Sequence, residues 1–508
     1  MLKKLLTVIT VALFCVGTIV AQNAQVQEHK KVILDTRNEV TVGPVEQTVP
    51  TSFPVTNEAH QVVAMTTYDY FSNSIIRPQV AVYEGEVVLT PMLRGHADPA
   101  TLRQIKFIYN DGTNWVQLSP FGTGGSGWPA VDVSLTGDLA GTFGLVGHVP
   151  NRLAIYDGDG GFFVAEFEAN TDPSMVFAGE DIFIATSGNR IQYQFWKTED
   201  FGNTFMMWDT MSTVSPNIYW VANGGVEVDM IKSPNEMYVA YLGTNEGDGH
   251  VYDDIDPNRA DNVWILGSED GGATWVGAMV GADGDLTTLP DYSVSLFIDS
   301  VDGAAYNDFV TFTHAPLFEN FGQVHGAVGN DGVVHLVANG YGLAFGYVGQ
   351  TELVTALFPV LYWNSDSESW KVISDVAIDT LALADGRPGN GIGQSYPSIA
   401  VSEDGQVVYA VWGGPRIGPD GDAMINPDGR GKFYTDLYHA FSVDGGDNWT
   451  YGGVFVTSDD TTSFIYPTLA RHLQYDADAN AYVAHMIYLN DLQTGASVFG
   501  GVNGVASV

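Results

Sequence analysis

The sequence has little cysteine and few basic residues, and both shortages exclude classes of protein. Of its 508 residues one is cysteine, Cys15, which lies in an apolar segment near the N-terminus. The rest of the chain therefore has no disulfide bond, no zinc–thiolate site and no thiol nucleophile. Lysine and arginine total 20 against 60 acidic residues, for a formal net charge of −40. Nucleic acid and anionic membrane surfaces need clustered basic residues, so we expect neither as a partner.

Long apolar runs are also scarce, and the one at the N-terminus is short. Residues 5–20 follow Lys3 and Lys4 and precede Ala21. Sixteen residues fall short of the roughly 20 that span a bilayer. A basic start, a short apolar run and a small residue are typical of a secretory signal peptide. We expect residues 1–21 to be removed, leaving a secreted, extracellular or cell-surface protein with no transmembrane span.

Glycine and aromatic residues are abundant, and they occur in repeated units. The chain has 58 glycines and is 12% aromatic, which favours short strands joined by tight turns. Residues 22–60 are polar and indicate a linker or a strap. Residues 61–508 keep one sequence pattern with no second domain boundary. There an apolar stretch, a turn and a second apolar stretch recur, most clearly over 396–412. Such units predict β-hairpins.

A second element follows several of these hairpins. Residues 198–205, 268–275 and 442–449 all fit Ser/Thr-x-Asp-x-Gly-x-x-aromatic. This pattern resembles the Asp box, or bacterial neuraminidase repeat, of sialidase-like β-propellers, and the resemblance covers roughly residues 61–508. It implies that the aspartates accept turn N–H groups and are structural, and that the aromatic residues pack between sheets. The residues concerned are Asp200, Asp270, Asp444, Trp275 and Trp449.

Counting the hairpins predicts the architecture. Their starts lie near positions 77, 129, 175, 226, 324, 397 and 467. We therefore expect an all-β chain forming a single propeller, with seven blades favoured and six to eight open because residues 226–324 have room for another hairpin. The last repeat is too short for a full blade, so we expect a strand over Val62–Tyr68 to close the ring.

The long loops all fall on one face of such a propeller, and we expect function there. Arg77 stands where sialidases carry Arg-Ile-Pro, whose arginine helps to grip a carboxylate, but here the order is Ile76-Arg77-Pro78. Further arginines in or near the loops are candidates to complete an arginine cluster that binds an acidic sugar: Arg94, Arg103, Arg259, Arg387, Arg416 and Arg430. The alternative is that these arginines pair with surface acids.

Two tyrosines and one acidic loop complete the candidates. Tyr396 and Tyr466 precede proline at the same blade position as Arg77, so they either stack on sugar rings at the channel mouth or pack inside. A run of oxygen ligands suggests bound Ca²⁺, although its spacing departs from an EF-hand loop and a solvated turn is the alternative. Its members are Asp420, Asp422, Asn426 and Asp428.

The favoured function is a non-catalytic binding or surface-associated protein that recognises a glycan or an extracellular protein through the long-loop face. The alternative is a sialidase-like glycoside hydrolase on the same fold. A retaining sialidase needs a tyrosine nucleophile beside a glutamate, together with a separate acid. Spacing alone identifies no such pair in this sequence.

Overall fold

The structure, a computed structural model, describes these parts of the chain: 32–35, 52–54, 60–68, 71, 77–95, 102–148, 150–167, 173–186, 194–210, 228–245, 262–275, 293–295, 311–316, 323–345, 353–367, 369–379, 381, 394–426, 432–456 and 462–491. The predicted signal peptide, residues 1–21, lies outside them. Much of the predicted long-loop sequence does as well.

Strands dominate the described residues. In the first half they are β1 (Val32–Asp35), β2 (Ser52–Pro54), β3 (Val80–Tyr83), β4 (Glu86–Leu89), β5 (Met92–Leu93), β6 (Gln104–Ile105), β7 (Phe107–Asn110), β8 (Asn114–Leu118), β9 (Gly127–Val133), β10 (Phe143–His148), β11 (Arg152–Tyr156), β12 (Gly161–Glu166), β13 (Ser174–Ala178), β14 (Asp181–Thr186), β15 (Gln194–Thr198), β16 (Met206–Thr210), β17 (Val228–Lys232) and β18 (Val239–Asn245).

In the second half they are β19 (Asn262–Ser268), β20 (Ser293–Ser295), β21 (Thr311–Pro316), β22 (Val324–Val328), β23 (Val334–Phe345), β24 (Leu353–Leu357), β25 (Val360–Asn364), β26 (Trp370–Val372), β27 (Ser395–Val401), β28 (Val408–Pro415), β29 (Thr435–Ser442), β30 (Thr450–Val456), β31 (Ser463–Leu469), β32 (Gln474–Asp476), β33 (Ala481–Val483) and β34 (Met486–Asp491). A 3₁₀ turn covers Gly137–Leu139, and one short helix, α1, covers Val376–Asp379.

The strands build a β-propeller of six blades. Each blade contains four antiparallel strands in chain order, and the six are β3-β4-β7-β8, β9 to β12, β13 to β16, β17 to β20, β22-β23-β25-β26 and β27 to β30. In the fifth blade β23 is long enough to pair with β21 and β24 as well. The first strand of each blade contacts the first strand of the next, so these strands line a central channel.

The hydrophobic core lies between neighbouring blades. Inner strands such as β13 and β17 are buried along their whole length, because each has a sheet on either side. One cluster joins Val146 and Leu153 of the second blade to Met175, Phe177 and Ile184 of the third. Burial of this kind stabilises by about 25 cal/mol per Å² of apolar surface, so each blade depends on its neighbours.

After the sixth blade, β31 and β34 form a two-stranded sheet that packs against the first blade. Ile465 and Leu489 of this sheet share a cluster with Val80 of the first blade. Its neighbour on the other side is β27 of the sixth blade. Among the described residues this sector has two strands rather than four, so a complete seventh blade is not confirmed.

The closing strand expected over Val62–Tyr68 is not confirmed either. Residues 61–68 form no strand, and only Thr66 makes an isolated bridge. Side chains of β8 in the first blade hold the segment instead. Trp115 Nε1 donates to Gln61 Oε1 at 3.0 Å, and Gln117 Nε2 donates to the Val63 carbonyl at 3.4 Å. These contacts place the segment beside the first blade.

The polar stretch before residue 61 supplies two edge strands. β1 pairs with β12 at the outer edge of the second blade, and β2 pairs with β8 at the outer edge of the first. The stretch predicted as a linker or strap therefore covers edges that would otherwise expose unpaired N–H and C=O groups. Among the described residues, none of the helices has the length and the apolar character of a membrane span.

The three repeated turns share one hydrogen-bond pattern. In the second of them Gly272 N donates to Ser268 Oγ at 2.7 Å, and Thr274 N donates to Asp270 Oδ1 at 2.7 Å. The equivalent bonds to Asp200 and Asp444 are 2.8 and 2.9 Å long. Each carboxylate therefore accepts hydrogen bonds from its own turn.

The turn glycine and the turn aromatic both touch the adjacent blade. Gly272 has φ +85°, and a Cβ there would come within 2.3 Å of the Phe183 ring of the third blade. Trp275 packs edge-on against the same ring at 5.7 Å and is 9% exposed. Trp449 meets Tyr362 of the fifth blade at 4.6 Å but is only half-buried, less than the sequence predicts.

This difference predicts unequal stability losses for two tryptophan substitutions. Trp275→Ala should lower the free energy of unfolding by about 3–5 kcal/mol, the usual cost of removing a buried aromatic ring. Trp449→Ala should cost clearly less, because part of that ring already faces water. Urea unfolding followed by circular dichroism measures both. Equal losses would contradict the packing described here.

Candidate functional site

The residues that the sequence singled out for ligand binding are largely built into the fold. Arg77 is buried, and its Nε donates to the Val228 carbonyl at 3.0 Å, a contact from the first blade to the fourth. Arg416 is also buried, with an ion pair to Asp436 at 2.8 Å and a hydrogen bond to the Thr462 carbonyl at 2.7 Å. Arg430 lies outside the described residues.

Tyr396 and Tyr466 pack inside the propeller. Their ring centroids are 4.5 Å apart, and Phe71 stacks on Tyr466 at 5.6 Å. Both tyrosines are buried and have positive φ, +58° and +59°. Each precedes a proline at a bulge of an inner strand. Of the two interpretations of these tyrosines, interior packing fits the structure.

The proposed calcium ligands are not gathered into a site by the described residues. Asp420 and Asp422 are exposed, and Asp420 Oδ1 accepts the N–H of Asp422 at 3.2 Å. Asn426 is buried, and Asp428 lies outside the described ranges. Within those ranges no group of three or more His, Cys, Asp or Glu side chains is arranged to hold a metal ion. Calcium binding by this loop stays a prediction.

A cavity of about 650 Å³ opens on the other face, where the first hairpin turn of each blade lies. Its walls come from β3, β9 and the segment that follows β31, and turns of the fourth, fifth and sixth blades form its rim. The polar and aromatic lining residues are Asp132, Asn330, Glu403, Asp404, Arg471, His472, Gln474, Tyr475 and Tyr482.

Beneath this cavity a buried lysine joins two blades. Lys232 Nζ lies 2.8 Å from Asp132 Oδ2 of the second blade and 2.6 Å from Glu236 Oε1 of its own turn. It also donates to the Val133 carbonyl at 2.5 Å. All three ammonium protons thus have acceptors, as burial of a lysine requires.

A second buried ion pair crosses the channel. Arg471 Nη2 lies 2.6 Å from Asp229 Oδ1, which also accepts the Ser174 hydroxyl at 2.7 Å and the Met230 N–H at 2.9 Å. Arg471 Nε and Asp229 Oδ2 are buried without a hydrogen-bond partner among the described residues. Arg471 is also one of the residues that line the cavity.

Burial shifts the pKa of two titratable groups on the floor, Asp132 and His472. It raises the pKa of Asp132, against the opposing effects of the Lys232 ammonium and the Phe177 N–H. It lowers the pKa of His472 to about 3, with a further contribution from the positive charge of Lys232. His472 is therefore neutral, and its Nε2 donates to the Lys232 carbonyl at 3.0 Å.

The rim combines exposed tyrosines with acidic turns. Tyr475 and Tyr482, on paired strands β32 and β33, are 56% and 39% exposed, with ring centroids 5.3 Å apart. In the rim turn of the sixth blade, Asp404 Oδ1 accepts the Ser402 hydroxyl at 2.6 Å and the Gln406 N–H at 3.1 Å. These hydrogen bonds lower the pKa of Asp404, so it is an ionised acceptor of its own turn.

Sequence reasoning missed this site because it directed attention to the long loops. Lys232 and Arg471 do carry a signal. Both are bases within or directly after apolar inner strands, in a chain with only 20 lysines and arginines. A base in such a position must meet an acid inside the fold.

Comparisons with known proteins identify no family. No family model matches the chain, and no curated protein does. Among solved structures, a polysaccharide lyase, an ulvan lyase, is similar at 12% identity and TM-score 0.43, with 84% of this chain and 93% of that chain covered. SapL1 lectin in complex with a methyl fucoside is similar at 11% and 0.35, covering 76% and 97%. A mutant Trypanosoma rangeli sialidase is similar at 11% and 0.34, covering 73% and 58%.

These similarities are too low to carry a functional argument. The six-bladed propeller rests on the strand pairing of this chain itself.

A buried neutral histidine near the floor predicts acid sensitivity. Burial lowers the pKa of His325 to about 4, and its Nδ1 accepts the Ile399 N–H at 3.2 Å. The unfolded chain takes up a proton near the ordinary histidine pKa of about 6.5, whereas the folded chain does not. Stability is therefore present above that pH and is lost as the pH falls from about 6.5 to about 4, at about 1.4 kcal/mol per pH unit.

His325→Gln should make this slope shallower by about 1.4 kcal/mol per pH unit over the same range. Denaturant unfolding of the protein and the variant at several pH values measures it. A slope unchanged in the variant would show that His325 is not held neutral.

Proposed function

We propose that this chain is an exported, non-catalytic propeller that binds an uncharged saccharide in the cavity on the hairpin-turn face. The observation that carries the proposal is the exposed pair Tyr475 and Tyr482 at the rim of a 650 Å³ cavity with buried, fixed polar groups on its floor. Cavities of roughly 300–1,000 Å³ with a few convergent polar groups are the usual form of small-ligand sites.

The tyrosine pair supplies the apolar part of recognition. Both rings keep a large exposed fraction on a short hairpin, so they form an apolar surface that is open to a ligand. Tyrosine offers a rigid, amphipathic contact surface at small entropic cost, and it suits ligands with both C–H faces and hydroxyls. Saccharides have this character.

The charge around the cavity selects an uncharged ligand. Asp132, Glu403 and Asp404 line the cavity, and the whole chain carries a formal charge of −40. This field repels acidic polymers, whereas carboxylate oxygens accept hydrogen bonds from neutral hydroxyls. Arg471 also lines the cavity, so a guanidinium lies beside these carboxylates.

A specific observation favours a second candidate, a glycoside hydrolase. Burial raises the pKa of Asp132, and hydrogen bonds lower that of Asp404, the separation expected of an acid and a base. The existing contacts of both carboxylates favour binding over hydrolysis. Asp132 Oδ2 is occupied by Lys232 and the Phe177 N–H, and Asp404 is occupied by its own turn.

Calorimetric titration with neutral oligosaccharides of several linkage types tests the proposal. Tyr482→Ala and Tyr475→Ala should each weaken binding about tenfold or more, since about 1.4 kcal/mol of lost contact is a factor of ten. Phe201→Ala is the matched control, because Phe201 is 40% exposed but lies in the third blade. Its affinity should equal that of the unsubstituted protein.

Absence of binding to every neutral oligosaccharide, or full affinity in Tyr482→Ala, would contradict the proposal. Release of new reducing ends from a bound oligosaccharide, abolished in Asp132→Asn, would instead establish the hydrolase.

A further inference from the structure

In two of the three repeated turns, the second glycine sits against an aromatic ring of the preceding blade. A Cβ on Gly272 of the fourth blade would meet the Phe183 ring of the third. A Cβ on Gly446 of the sixth blade would meet the Tyr362 ring of the fifth. At these two junctions, an aromatic side chain therefore fills the space over the turn glycine.

The junction of the second and third blades is filled differently. A Cβ on Gly202, the equivalent glycine, would lie 2.9 Å from Ala165 Cβ and 3.3 Å from Leu153 Cδ2 of the second blade, and 3.1 Å from the Phe205 ring of its own turn. A cavity of about 460 Å³ opens here, with Ala165 and Gly202 in its wall. Alanine is much smaller than phenylalanine or tyrosine, so space stays open where the other junctions hold a ring of the preceding blade.

The turn at this junction also presents an aromatic side chain where the other two turns have glycine. The residue after the turn aspartate is Gly271 in one turn and Gly445 in another, with φ +66° and +70°. In the third turn it is Phe201, which keeps φ +57° and is 40% exposed. A left-handed φ is an outlier for a bulky residue, and such strain clusters at functional sites. Phe201 lines the cavity.

An exposed carboxylate lines the same cavity. Asp157 Oδ1 accepts the N–H groups of Asp159 at 2.9 Å and Gly161 at 2.8 Å, whereas Oδ2 has no hydrogen-bond donor among the described residues. The described residues that line the cavity include no lysine or arginine. In a chain with a formal charge of −40, the group that complements this carboxylate is a cation.

We propose that this cavity binds a small aromatic amine. The ring of the ligand occupies the space beside Ala165 and packs against Phe201 and Phe163, since aromatic pairs attract each other beyond the area that they bury. The ammonium group donates to the Asp157 carboxylate, a charge-assisted hydrogen bond. The volume lies within the roughly 300–1,000 Å³ of small-ligand sites. The site does not rest on the proposed function, because the two cavities share no lining residue.

Calorimetric titration with four probes separates the contribution of the ring from that of the charge. Phenethylamine has both, 2-phenylethanol keeps the ring without the charge, butylamine keeps the charge without the ring, and 3-phenylpropanoate reverses the charge. Phenethylamine should bind about tenfold or more tightly than butylamine and 3-phenylpropanoate, with 2-phenylethanol between them. Equal affinity for phenethylamine and butylamine would reduce the effect to attraction by the net charge and would overturn the site.

Substitution of the displayed ring tests what the ring is for. Phe201→Gly gives this turn the residue that the other two turns have, so it should weaken phenethylamine binding about tenfold without lowering the melting temperature. Phe455→Ala is the control, because Phe455 is 41% exposed but lies in the sixth blade. A lower melting temperature in Phe201→Gly, or full affinity for phenethylamine, would contradict a ligand-binding role.

A second pair of substitutions tests the carboxylate. Asp157→Asn keeps an acceptor for the turn N–H groups and removes the charge, so phenethylamine should then bind no more tightly than 2-phenylethanol. Asp159→Asn removes the same charge from the same turn, but Asp159 is not among the residues that line the cavity, so the preference for the amine should persist. A preference that survives Asp157→Asn would overturn the assignment of the ammonium group.

Circular dichroism verifies the folding of each variant, and the comparison of the four probes needs no variant. Tyr482→Ala, in the saccharide cavity, should leave phenethylamine binding unchanged. Failure of the proposed function and failure of this site are therefore distinguishable.

Discussion

The ion pair between Arg471 and Asp229 joins residues 242 positions apart across the channel, and the rest of the structure depends on contacts of this kind. The blades are separate sheets, so side-chain contacts rather than strand pairing join one blade to the next. Arg471 follows β31 of the two-stranded sector, and Asp229 lies in β17 of the fourth blade. Arg77 makes a parallel link from the first blade to the Val228 carbonyl. Removing one partner of a buried ion pair costs about 3–5 kcal/mol. Replacing Asp229 or Arg471 alone should therefore destabilise the ring strongly.

The same constraint shapes the candidate site. Lys232 draws Asp132 and Glu236 together, and it helps to keep His472 neutral. The floor of the cavity is therefore a rigid set of donors and acceptors, which favours binding by preorganised polar groups. In a chain with so few bases, nearly every buried base described here is matched to an acid or to backbone carbonyls.

Local features of the fold were predictable from the sequence. The hairpin over 396–412 appears as β27 and β28, because its alternating apolar residues and its Asp-Gly turn specify pairing between neighbours. The turns at Asp200, Asp270 and Asp444 follow from hydrogen bonds within eight residues. Six blades are seen where six to eight were open, whereas the complete seventh blade and the closing strand at Val62–Tyr68 depend on distant pairing that a local pattern does not encode.

The candidate site was less predictable for the same reason. Asp132, Asp229, Lys232 and Arg471 come from three separate repeats and meet only after the ring has formed. Arg77, Arg416, Tyr396 and Tyr466 have the right chemistry for ligands, but their environment is interior. Burial, which decides between a ligand contact and a structural contact, is a property of the assembled blades.

A double-mutant cycle on Asp229 and Arg471 tests most directly whether buried charge pairs hold this ring together. The free energy of unfolding is measured for the protein, for Asp229→Asn, for Arg471→Met and for the double variant. Each single substitution should cost about 3–5 kcal/mol. The double variant should cost less than their sum by at least about 1 kcal/mol, because it leaves no unpaired charge. Losses that add to within about 0.5 kcal/mol would show that the pair is not coupled and would contradict the account.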